Sequence, residues 1–439
     1  MTLTRLAERL RDGELSPREA VQHYLDRIEA HRDLNAYISV RAEQALAEAD
    51  AAVLAFSRGP LWGVPVAVKD VIDVEGTRTT AASEILRDNV AERDAEVVAN
   101  LRAAGAIVLG KLNLHEFAYG ASTTSPHFGP AHNPWAPDRI AGGSSGGSGV
   151  AVAAQLAAGT LGTDTAGSIR IPAAFCGVTG LRPSTGLVSN DGVVPVSWTF
   201  DAVGPLAQTA EECSLILQAI APDFRPEPAD GELRVGLVTT LLDQAEPAVA
   251  AVVEEAASEL EAERVAAPML GHAGLIQQLV MLPDAAAAHL PWLRERLPDY
   301  GADVRARLLA GLLLPATAYP TGLRARRWLA DQVAPLFERY DVLAAPAMPI
   351  VAPPIGEDPV ELRGERTPYR LTVIPFNSPA SCLGLPAASV PCGFVDGLPV
   401  GLALIGRGGA DAAVLRAAEG FQQLTDWHEQ RPAIAADAI

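Results

Sequence analysis

The chain has 439 residues, of which 49% are hydrophobic, so it is long enough to bury a large core. Its formal net charge of −19 at pH 7 argues against nucleic acid or an anionic membrane as a direct partner, because both would be repelled by such a surface. The four cysteines lack C-x-x-C spacing and lie in mostly apolar surroundings, which predicts buried free thiols in a reducing compartment: Cys176, Cys213, Cys382 and Cys392.

The N-terminal segment predicts a helix and no secretion signal. Residues 1–9 (MTLTRLAER) lack the uninterrupted apolar core of a signal peptide, so a cytoplasmic location is expected. Residues 16–19 (SPRE) combine a capping serine, a proline at the first helical position and a glutamate three residues after the cap. That pattern is typical of a capping box, and it predicts a helix that starts at this point.

Strand-like apolar runs alternate with alanine-rich helical stretches along the whole chain. The runs cover residues 64–68, 107–109, 235–238, 342–345 and 400–405. Such alternation predicts an α/β fold, a large mixed sheet flanked by helices on both faces. Only one candidate boundary interrupts the pattern, the polar and proline-rich segment 221–230.

Two strand-like runs end in a lysine, and these are the only two lysines in the chain. Lys69 follows residues 64–68 and Lys111 follows residues 106–110, so position alone does not separate them. A buried lysine can lose its charge, whereas arginine stays protonated in proteins. The scarcity of lysine itself is explained by a codon bias toward arginine and alanine. Lys69 is therefore a candidate general base.

Two glycine–serine segments are the strongest chemical signal in the sequence. Residues 141–149 read AGGSSGGSG, and residues 162–170 read GTDTAGSIR. Both place hydroxyls among residues with little or no side chain, so a substrate can approach the backbone and several N–H groups can converge on one point. Because a hydroxyl is a poor nucleophile until a base removes its proton, the pattern predicts an acyl-transfer site that needs a proton acceptor nearby.

Other interpretations of the first segment fit less well. The nucleophile elbow of serine esterases needs a strand before the serine, and an acidic residue and a histidine later in the chain. Residues 133–139 contain prolines, however, and predict no strand. We expect the downstream histidines His272, His289 and His428 to be surface residues. Phosphate-loop and dinucleotide spacings are absent. A flexible linker is disfavoured, because residues 150–158 continue the run as an apolar stretch that predicts a buried helix.

Two further features have open or unremarkable interpretations. His127 and His132 lie in a loop without an acidic or thiol companion, so we expect polar loop residues and no metal site. The apolar run at residues 308–314 is too short to span a bilayer and is closed by Pro315. A core helix is the favoured interpretation, with a wall of the acyl pocket or a membrane-facing patch as alternatives.

Residues 66–70 (VAVKD), 142–148 (GGSSGGS) and 167–170 (GSIR) resemble the amidase signature family in order and spacing. Segments 24–28, 35–37, 384–387 and 397–402 are also similar to that family, so the resemblance covers nearly the whole chain. It implies an amide hydrolase with the amidase-signature fold. It also implies a single domain, 1–439, in which a helical segment (about 1–55) precedes a signature core (about 60–220). A C-terminal half (about 231–430) would complete the same sheet, with 221–230 as a surface loop.

The resemblance also implies roles for individual residues. Ser168 would be the nucleophile, Ser144 a bridging serine on a cis peptide bond, and Lys69 the base. The expected oxyanion hole consists of backbone N–H groups of Thr165, Ala166, Gly167 and Ser168. Gly142, Gly143 and Tyr119 are expected at the substrate, and Asp164 and Arg170 as a structural pair. No cofactor and no metal is implied.

One departure from the family pattern lies beside the expected nucleophile. The residue two positions before it is commonly glycine, whereas this chain has Ala166. The added methyl group predicts a mild restriction on the shape of the acyl group rather than a loss of activity, because alanine still supplies its N–H.

Within the family, two functions stay open. A free amidase acting on a small-molecule amide is favoured, and the alternative is the glutaminase subunit of a tRNA-dependent amidotransferase, which supplies ammonia to a partner. Residues 114–120 and 128–135 look like that subunit, but Arg370 falls where an acid would hold the amino group of glutamine, and residues 316–320 replace a tyrosine-rich segment. Whether the chain forms a homodimer is left open.

Overall fold

The computed structural model describes residues 1–54, 58–227 and 233–435. Fourteen α-helices are found in these residues, and they flank the sheet described below: α1 (Leu3–Arg11), α2 (Pro17–Ala30), α3 (Ala42–Val53), α4 (Glu96–Ala103), α5 (Gly146–Ala153), α6 (Arg170–Cys176), α7 (Ala210–Ile220), α8 (Thr239–Leu242), α9 (Pro247–Glu259), α10 (Ala273–Glu295), α11 (Ala302–Leu313), α12 (Ala318–Arg339), α13 (Tyr369–Leu383) and α14 (Asp411–Leu424). Short 3₁₀ helices lie at Arg32–Leu34, Glu116–Ala118, Pro268–His272, Leu297–Asp299, Trp427–Glu429 and Ala433–Ala435.

Seventeen strands are found in the same described residues: β1 (Tyr37–Val40), β2 (Pro65–Lys69), β3 (Ile107–Leu112), β4 (Thr124–Ser125), β5 (Gly129–Pro130), β6 (His132–Asn133), β7 (Ala136–Ile140), β8 (Gly159–Asp164), β9 (Thr179–Arg182), β10 (Ala202–Ala207), β11 (Val235–Val238), β12 (Glu263–Val265), β13 (Val342–Pro346), β14 (Val360–Leu362), β15 (Glu365–Thr367), β16 (Ala387–Val395) and β17 (Leu398–Gly406). Eleven of them form one sheet in the order β1-β3-β2-β8-β10-β9-β16-β17-β13-β11-β12. Strands from both sides of segment 221–230 therefore share this sheet.

The sheet is mixed, as the alternating pattern predicts. Strand β2 pairs in parallel with both β3 and β8, whereas β10 runs antiparallel to β8. Because the carboxyl ends of parallel strands meet at one edge, Lys69 at the end of β2 and Asp164 at the end of β8 come to the same edge. Ala202 at the start of β10 lies opposite Asp164 in the register. The topology thus brings distant parts of the chain to one place.

Several sequence predictions are confirmed. The capping box forms at the start of α2, where the Ser16 side chain accepts from the Glu19 N–H and the Glu19 side chain accepts from the Ser16 N–H. Strands occur at all five apolar runs that predicted them. All four cysteines are buried free thiols. Of segment 221–230, residues 221–227 have no regular secondary structure, and residues 228–230 lie outside the described part.

Two predictions around the first glycine–serine segment are wrong. A strand, β7, does precede it, although proline was expected to prevent one. Pro137 is tolerated because β7 forms only a two-stranded sheet with β6. Its other edge makes a single isolated bridge, between Arg139 and Pro354, and proline fits such short edge strands. The buried helix predicted at 150–158 is α5, which ends at Ala153, because the chain turns there and β8 begins at Gly159. Apolar composition alone does not fix where a buried helix ends.

The histidines differ from the expectation in two places. His289 is 1% exposed instead of lying on the surface, because it packs edge-on against Phe117 and hydrogen-bonds the Tyr300 hydroxyl at 2.9 Å. Its burial lowers the pKa of the imidazole to about 4. His127 does have an acidic companion, since its Nε2 lies 3.2 Å from Glu116 Oε1. His272 is exposed as expected, and His428 is half-buried.

The apolar run at 308–314 belongs mostly to α11, and only part of it is core. Leu308 is fully buried, whereas Leu313 is 83% exposed. None of the helices in the described ranges combines the length and apolarity that crossing a bilayer requires. In the same ranges, no three His, Cys, Asp or Glu side chains gather in a way that could hold a metal ion.

Candidate active site

Ser145 holds the two glycine–serine segments together. Its N–H donates to the carbonyl of Ser168 at 3.1 Å, and its hydroxyl donates to the carbonyl of Thr163 at 3.2 Å. The Thr163 N–H in turn donates to the Ser145 hydroxyl at 3.3 Å. The loop before α5 and the loop between β8 and α6 therefore form one unit, and both candidate serines belong to it.

Lys69 is fully buried and contacts that unit only through hydroxyl and carbonyl oxygens. Its Nζ lies 2.7 Å from Ser144 Oγ and 2.8 Å from Thr163 Oγ1, with the Thr163 carbonyl at 3.4 Å. Burial lowers the pKa of Lys69 to about 7, although Asp164 and Asp201 act in the opposite direction. An amine with this pKa is partly uncharged at neutral pH, so it can accept a proton.

Ser144 lies deeper in the structure than Ser168. Ser144 is fully buried, and its carbonyl accepts from the His115 N–H at 3.1 Å. Ser168 is 7% exposed and lines a cavity. Lys69 and Ser144 are thus hydrogen-bonded, whereas no hydrogen bond joins the hydroxyls of Ser144 and Ser168 within the described residues. Catalytic hydrogen bonds are often long without substrate and shorten only in the complex.

Close backbone packing fixes the geometry before Ser144. The Gly143–Ser144 peptide bond is cis. A Cβ at Gly143 would lie 2.7 Å from the backbone of Ala121 and Ser122, which cannot move away as a flexible side chain could. Glycine is therefore required at 143 to bring Ser144 within reach of Lys69.

The turn before Ser168 uses one of its N–H groups internally. The Gly167 N–H donates to Asp164 Oδ1 at 2.8 Å, so this group is already occupied. For the N–H groups of Thr165, Ala166 and Ser168, no acceptor is found in the ranges the structure describes. Gly167 has a φ of +113°, and a Cβ there would lie 2.6 Å from Asn377. The glycine thus shapes the turn, and its neighbours keep free donors.

Asp164 and Arg170 pair beneath this turn. Arg170 Nε and one of its terminal nitrogens donate to the Asp164 carboxylate at 3.0 and 3.1 Å, and all of these groups are buried. Arg182 also contacts Asp164. Its guanidinium lies 3.5 Å from the Asp164 carboxylate and donates to the Asp164 backbone carbonyl. Burial raises the pKa of Asp164, but the two guanidinium groups outweigh it and hold the pKa well below its usual range. The pair supports the turn from inside the protein.

Two residues that position Thr165 were missed by the sequence analysis. The Thr165 hydroxyl donates to Asp201 Oδ1 at 2.6 Å, and its carbonyl accepts from Gln277 Nε2 at 2.7 Å. Gln277 is itself held by the Ser378 hydroxyl at 2.7 Å. Thr163 was also missed as a partner of Lys69. Its place in the GTDTAGS segment was the only local signal, since the contact depends on the register between β2 and β8.

A cavity opens above Ser168. Its wall is formed by residues from five parts of the chain: Ala118, Tyr119, Gly120, Ala121, Thr165, Ala166, Ser168, Ile171, Val196, Gln278, Met281, Arg370, Val373 and Ile374. Of the residues expected at the substrate, Tyr119 is part of this wall, whereas Gly142 and Gly143 are not. A Cβ at Gly142 would meet Pro172, so this glycine packs against α6.

Comparisons with known proteins find relatives that match nearly the whole chain. The chain is similar to a subunit of the glutamyl-tRNA(Gln) amidotransferase of Moorella thermoacetica, with 38% identity over 98% of both chains. Among solved structures, it is similar to an amidase with a TM-score of 0.92, 34% identity and coverage of 96% and 99% of the two chains. Another is the corresponding glutamyl-tRNA(Gln) amidotransferase subunit of Thermotoga maritima, with a TM-score of 0.79, 32% identity and coverage of 96% and 94%.

The sequence model of the Amidase family matches residues 19–415, which include every candidate site residue named above. The resemblance drawn from short motifs thus extends over most of the chain. Together with the fold and these relatives, it shows an amide-hydrolysing enzyme that belongs to the amidase family.

Proposed function

We propose that this enzyme hydrolyses a carboxylic acid amide through an acyl-enzyme on Ser168, with Ser144 and Lys69 as the proton relay. The observation that carries the proposal is the contact between a fully buried amine and Ser144 Oγ at 2.7 Å. That amine has a pKa of about 7 because of its burial. A base works best when its pKa lies near the working pH.

The first half of the reaction forms the acyl-enzyme. When Lys69 is uncharged, the Ser144 hydroxyl can donate to Nζ across the 2.7 Å contact. Ser144 then takes the proton of Ser168, whose oxygen forms a bond to the amide carbonyl carbon. The carbonyl oxygen becomes an oxyanion. The relay returns a proton to the leaving nitrogen as the C–N bond breaks, which releases ammonia or an amine.

The second half releases the acid. Water gives a proton to the same relay and attacks the carbonyl carbon of the ester on Ser168. The bond between that carbon and the serine oxygen then breaks as the oxygen regains a proton. Lys69 returns to its uncharged form, so the cycle consumes one water and no other reactant. The proposal therefore needs no metal and no cofactor.

The oxyanion in both halves would be bound by backbone N–H groups of Thr165, Ala166 and Ser168. Gly167 was expected to take part, but its N–H is bound to Asp164 and would have to be shared. A donor aimed at an oxyanion contributes about 3 to 4 kcal/mol to lowering the barrier. The Ala166 methyl group lines the cavity, which supports a restriction on acyl shape.

The glutaminase function within an amidotransferase stays a second candidate, because two of the relatives named above are subunits of such an enzyme. Such a protein would hydrolyse glutamine and supply ammonia to a partner protein. Glutamine carries an ammonium group beside its carboxylate, and the positively charged residue Arg370 lines the cavity above Ser168. We expect glutamine to be hydrolysed slowly relative to simple aliphatic or aryl amides. The reverse order in a substrate panel would favour the amidotransferase function.

Covalent labelling tests the proposed nucleophile. A fluorophosphonate or sulfonyl fluoride should modify the native protein at Ser168, as located by peptide mass spectrometry, and Ser168→Ala should abolish the label. Ser148→Ala is the matched control, because Ser148 lies in the same glycine–serine run but its hydroxyl donates to the Leu161 carbonyl. Label that persists in Ser168→Ala would show that the nucleophile is another residue.

A further inference from the structure

The wall of the cavity contains an arginine without a carboxylate partner. Arg370, the second residue of α13, lines the same cavity as Ser168. Its guanidinium donates to Gln278 Oε1 at 2.7 Å. In the described ranges, no carboxylate oxygen lies within 4.0 Å of this guanidinium, which is the limit for an ion pair. An arginine side chain stays protonated in proteins, so the cavity wall carries an uncompensated positive charge.

The residues next to Arg370 add hydrogen-bond donors without acceptors. The Tyr119 hydroxyl and Gln278 Nε2 are both buried, and neither has a hydrogen-bond partner among the residues described. Tyr119 is 4% exposed, and it lines the cavity together with Gln278. Buried polar groups are usually hydrogen-bonded, so two unpaired donors beside an unpaired cation indicate a missing acceptor.

A second arginine nearby is already neutralised. Arg307 donates to Asp303 at 2.8 Å, and its guanidinium carbon lies 5.1 Å from the centre of the Tyr119 ring. Asp303 also contacts His115 at 2.9 Å. Burial and the proximity of Arg307 lower the pKa of Arg370, and they outweigh the opposite effects of Tyr119 and of the more distant Asp303. The net charge at this end of the cavity is therefore positive.

A carboxylate satisfies all three features at once. It is negative, it accepts several hydrogen bonds, and its two oxygens match the planar fork of a guanidinium. An ammonium group would instead be repelled by Arg370 and could not accept from Tyr119 or Gln278. The wall of the same cavity also contains the apolar side chains of Ile171, Val373 and Ile374. Such a wall suits a short methylene chain.

We infer that Arg370, with Tyr119 and Gln278, binds a carboxylate of the substrate, so that the enzyme prefers amides carrying a carboxylate away from the bond that is cleaved. This inference rests on the proposed function and specifies its substrate class. It makes Arg370 a specificity-determining residue of the acyl-transfer site.

Matched substrates isolate the carboxylate. Succinamate and butanamide have equal carbon chains and differ in the terminal carboxylate, as do glutaramate and pentanamide. Glutamine differs from glutaramate only by its α-ammonium group. We expect kcat/KM for at least one carboxylate amide to exceed that of its neutral partner by tenfold or more, and glutaramate to exceed glutamine. Equal or lower values for both carboxylate amides would overturn the inference.

Variants assign the preference to Arg370. In R370Q the ratio of kcat/KM between carboxylate and neutral amide should fall by about 10- to 100-fold, because a hydrogen bond to a charged group is lost. R370K should recover part of the ratio. R366Q is the control, because Arg366 on β15 is 57% exposed and pairs with Glu357 away from the cavity. A ratio that R370Q leaves unchanged would contradict the inference.

Binding separates this inference from the proposed function. Labelling of Ser168 and hydrolysis of neutral amides test the acyl-enzyme, whereas calorimetric binding of glutaramate to S168A tests the carboxylate site without turnover. We expect S168A to bind glutaramate more tightly than pentanamide, and S168A/R370Q to bind glutaramate at least tenfold more weakly. Equal affinity of S168A for both compounds would overturn the inference even if amides are hydrolysed.

Discussion

Two buried lysines lie in the carboxyl-terminal parts of neighbouring strands, and they differ in whether a carboxylate contacts the amine. Lys111 on β3 has its Nζ 2.9 Å from Asp70 Oδ1, and both side chains are fully buried. Lys69 on β2 has hydroxyl partners instead, at Ser144 and Thr163. Asp70 directly follows Lys69 in the chain, yet it pairs with Lys111, because successive side chains of an extended segment point in opposite directions.

The difference shows how a protein can keep one buried amine charged and let another lose its charge. Burial lowers the pKa of both lysines. At Lys111 a carboxylate in direct contact favours the ammonium form and limits the drop. At Lys69 the hydroxyls satisfy the N–H groups without fixing the charge, and the carboxylates of Asp164 and Asp201 act only from a distance. Only the second environment suits a base.

The largest expected effect comes from replacing each lysine by arginine. Lys69→Arg keeps the charge but removes the base, so kcat for amide hydrolysis should fall by about 10²- to 10⁴-fold. Lys111→Arg keeps a cation opposite Asp70 and should retain most of the turnover. Steady-state assays on both variants test this. Substantial activity in Lys69→Arg would assign the base to another residue.

Removing the charge at Lys111 should affect stability rather than chemistry. Lys111→Met leaves the carboxylate of Asp70 buried and unpaired, which should lower the free energy of unfolding by about 3 to 5 kcal/mol. Adding Asp70→Asn should recover a large part of that loss, because the unpaired charge is gone. Denaturant unfolding of the two variants measures both quantities. Equal stability of the single and double variants would argue against the ion pair.

The pKa of Lys69 predicts a pH dependence of stability with a definite sign. Between pH 7 and 10.5 the unfolded chain binds a proton at Lys69 that the folded protein does not, so stability should rise with pH by up to about 1.4 kcal/mol per unit. Below pH 7 both states are protonated and the full penalty applies. Unfolding at pH 7.5 and 9.5 should show this rise relative to Lys69→Met. A constant difference between the two proteins would contradict the lowered pKa.

The smallest effect is expected at Thr163. Thr163→Val removes the hydroxyl 2.8 Å from Lys69 Nζ but leaves the contact with Ser144. Because that oxygen accepts from the ammonium form, its loss should lower the pKa of Lys69 further and move the acid limb of the pH–rate profile to lower pH. The measurement is kcat/KM as a function of pH. A shift of the acid limb to higher pH would contradict this prediction.

The sequence predicted the strands and the fold class because apolar runs and turn residues act locally. It could not distinguish Lys69 from Lys111, since both end strand-like runs. The difference between them is that Asp70, from a neighbouring segment, contacts Lys111. Nor could the sequence predict the contact between Lys69 and Thr163, which depends on the register between β2 and β8. The strand β7 and the early end of α5 were missed because proline and apolar content are weak guides to boundaries.

The site shows the same limit. Motif resemblance predicted catalytic roles for Lys69, Ser144 and Ser168, and the structure joins the first two by a hydrogen bond. It did not predict that Asp164 occupies the Gly167 N–H, or that Gln277 holds the Thr165 carbonyl. Both contacts bring together side chains and backbone that a linear pattern does not relate. The unpaired donors around Arg370 likewise became visible only once α10 and α13 were packed beside the cavity.

The most direct test measures the charge of each lysine. Because the chain contains only two, protein labelled with ¹³C at lysine Cε should give two resonances, and Lys69→Arg and Lys111→Arg assign them. We predict that the Lys69 resonance titrates with a midpoint near pH 7, and that the Lys111 resonance titrates at clearly higher pH. If both stay protonated up to pH 9 and then titrate together, Lys69 is not an uncharged amine at neutral pH, and the proposed base is contradicted.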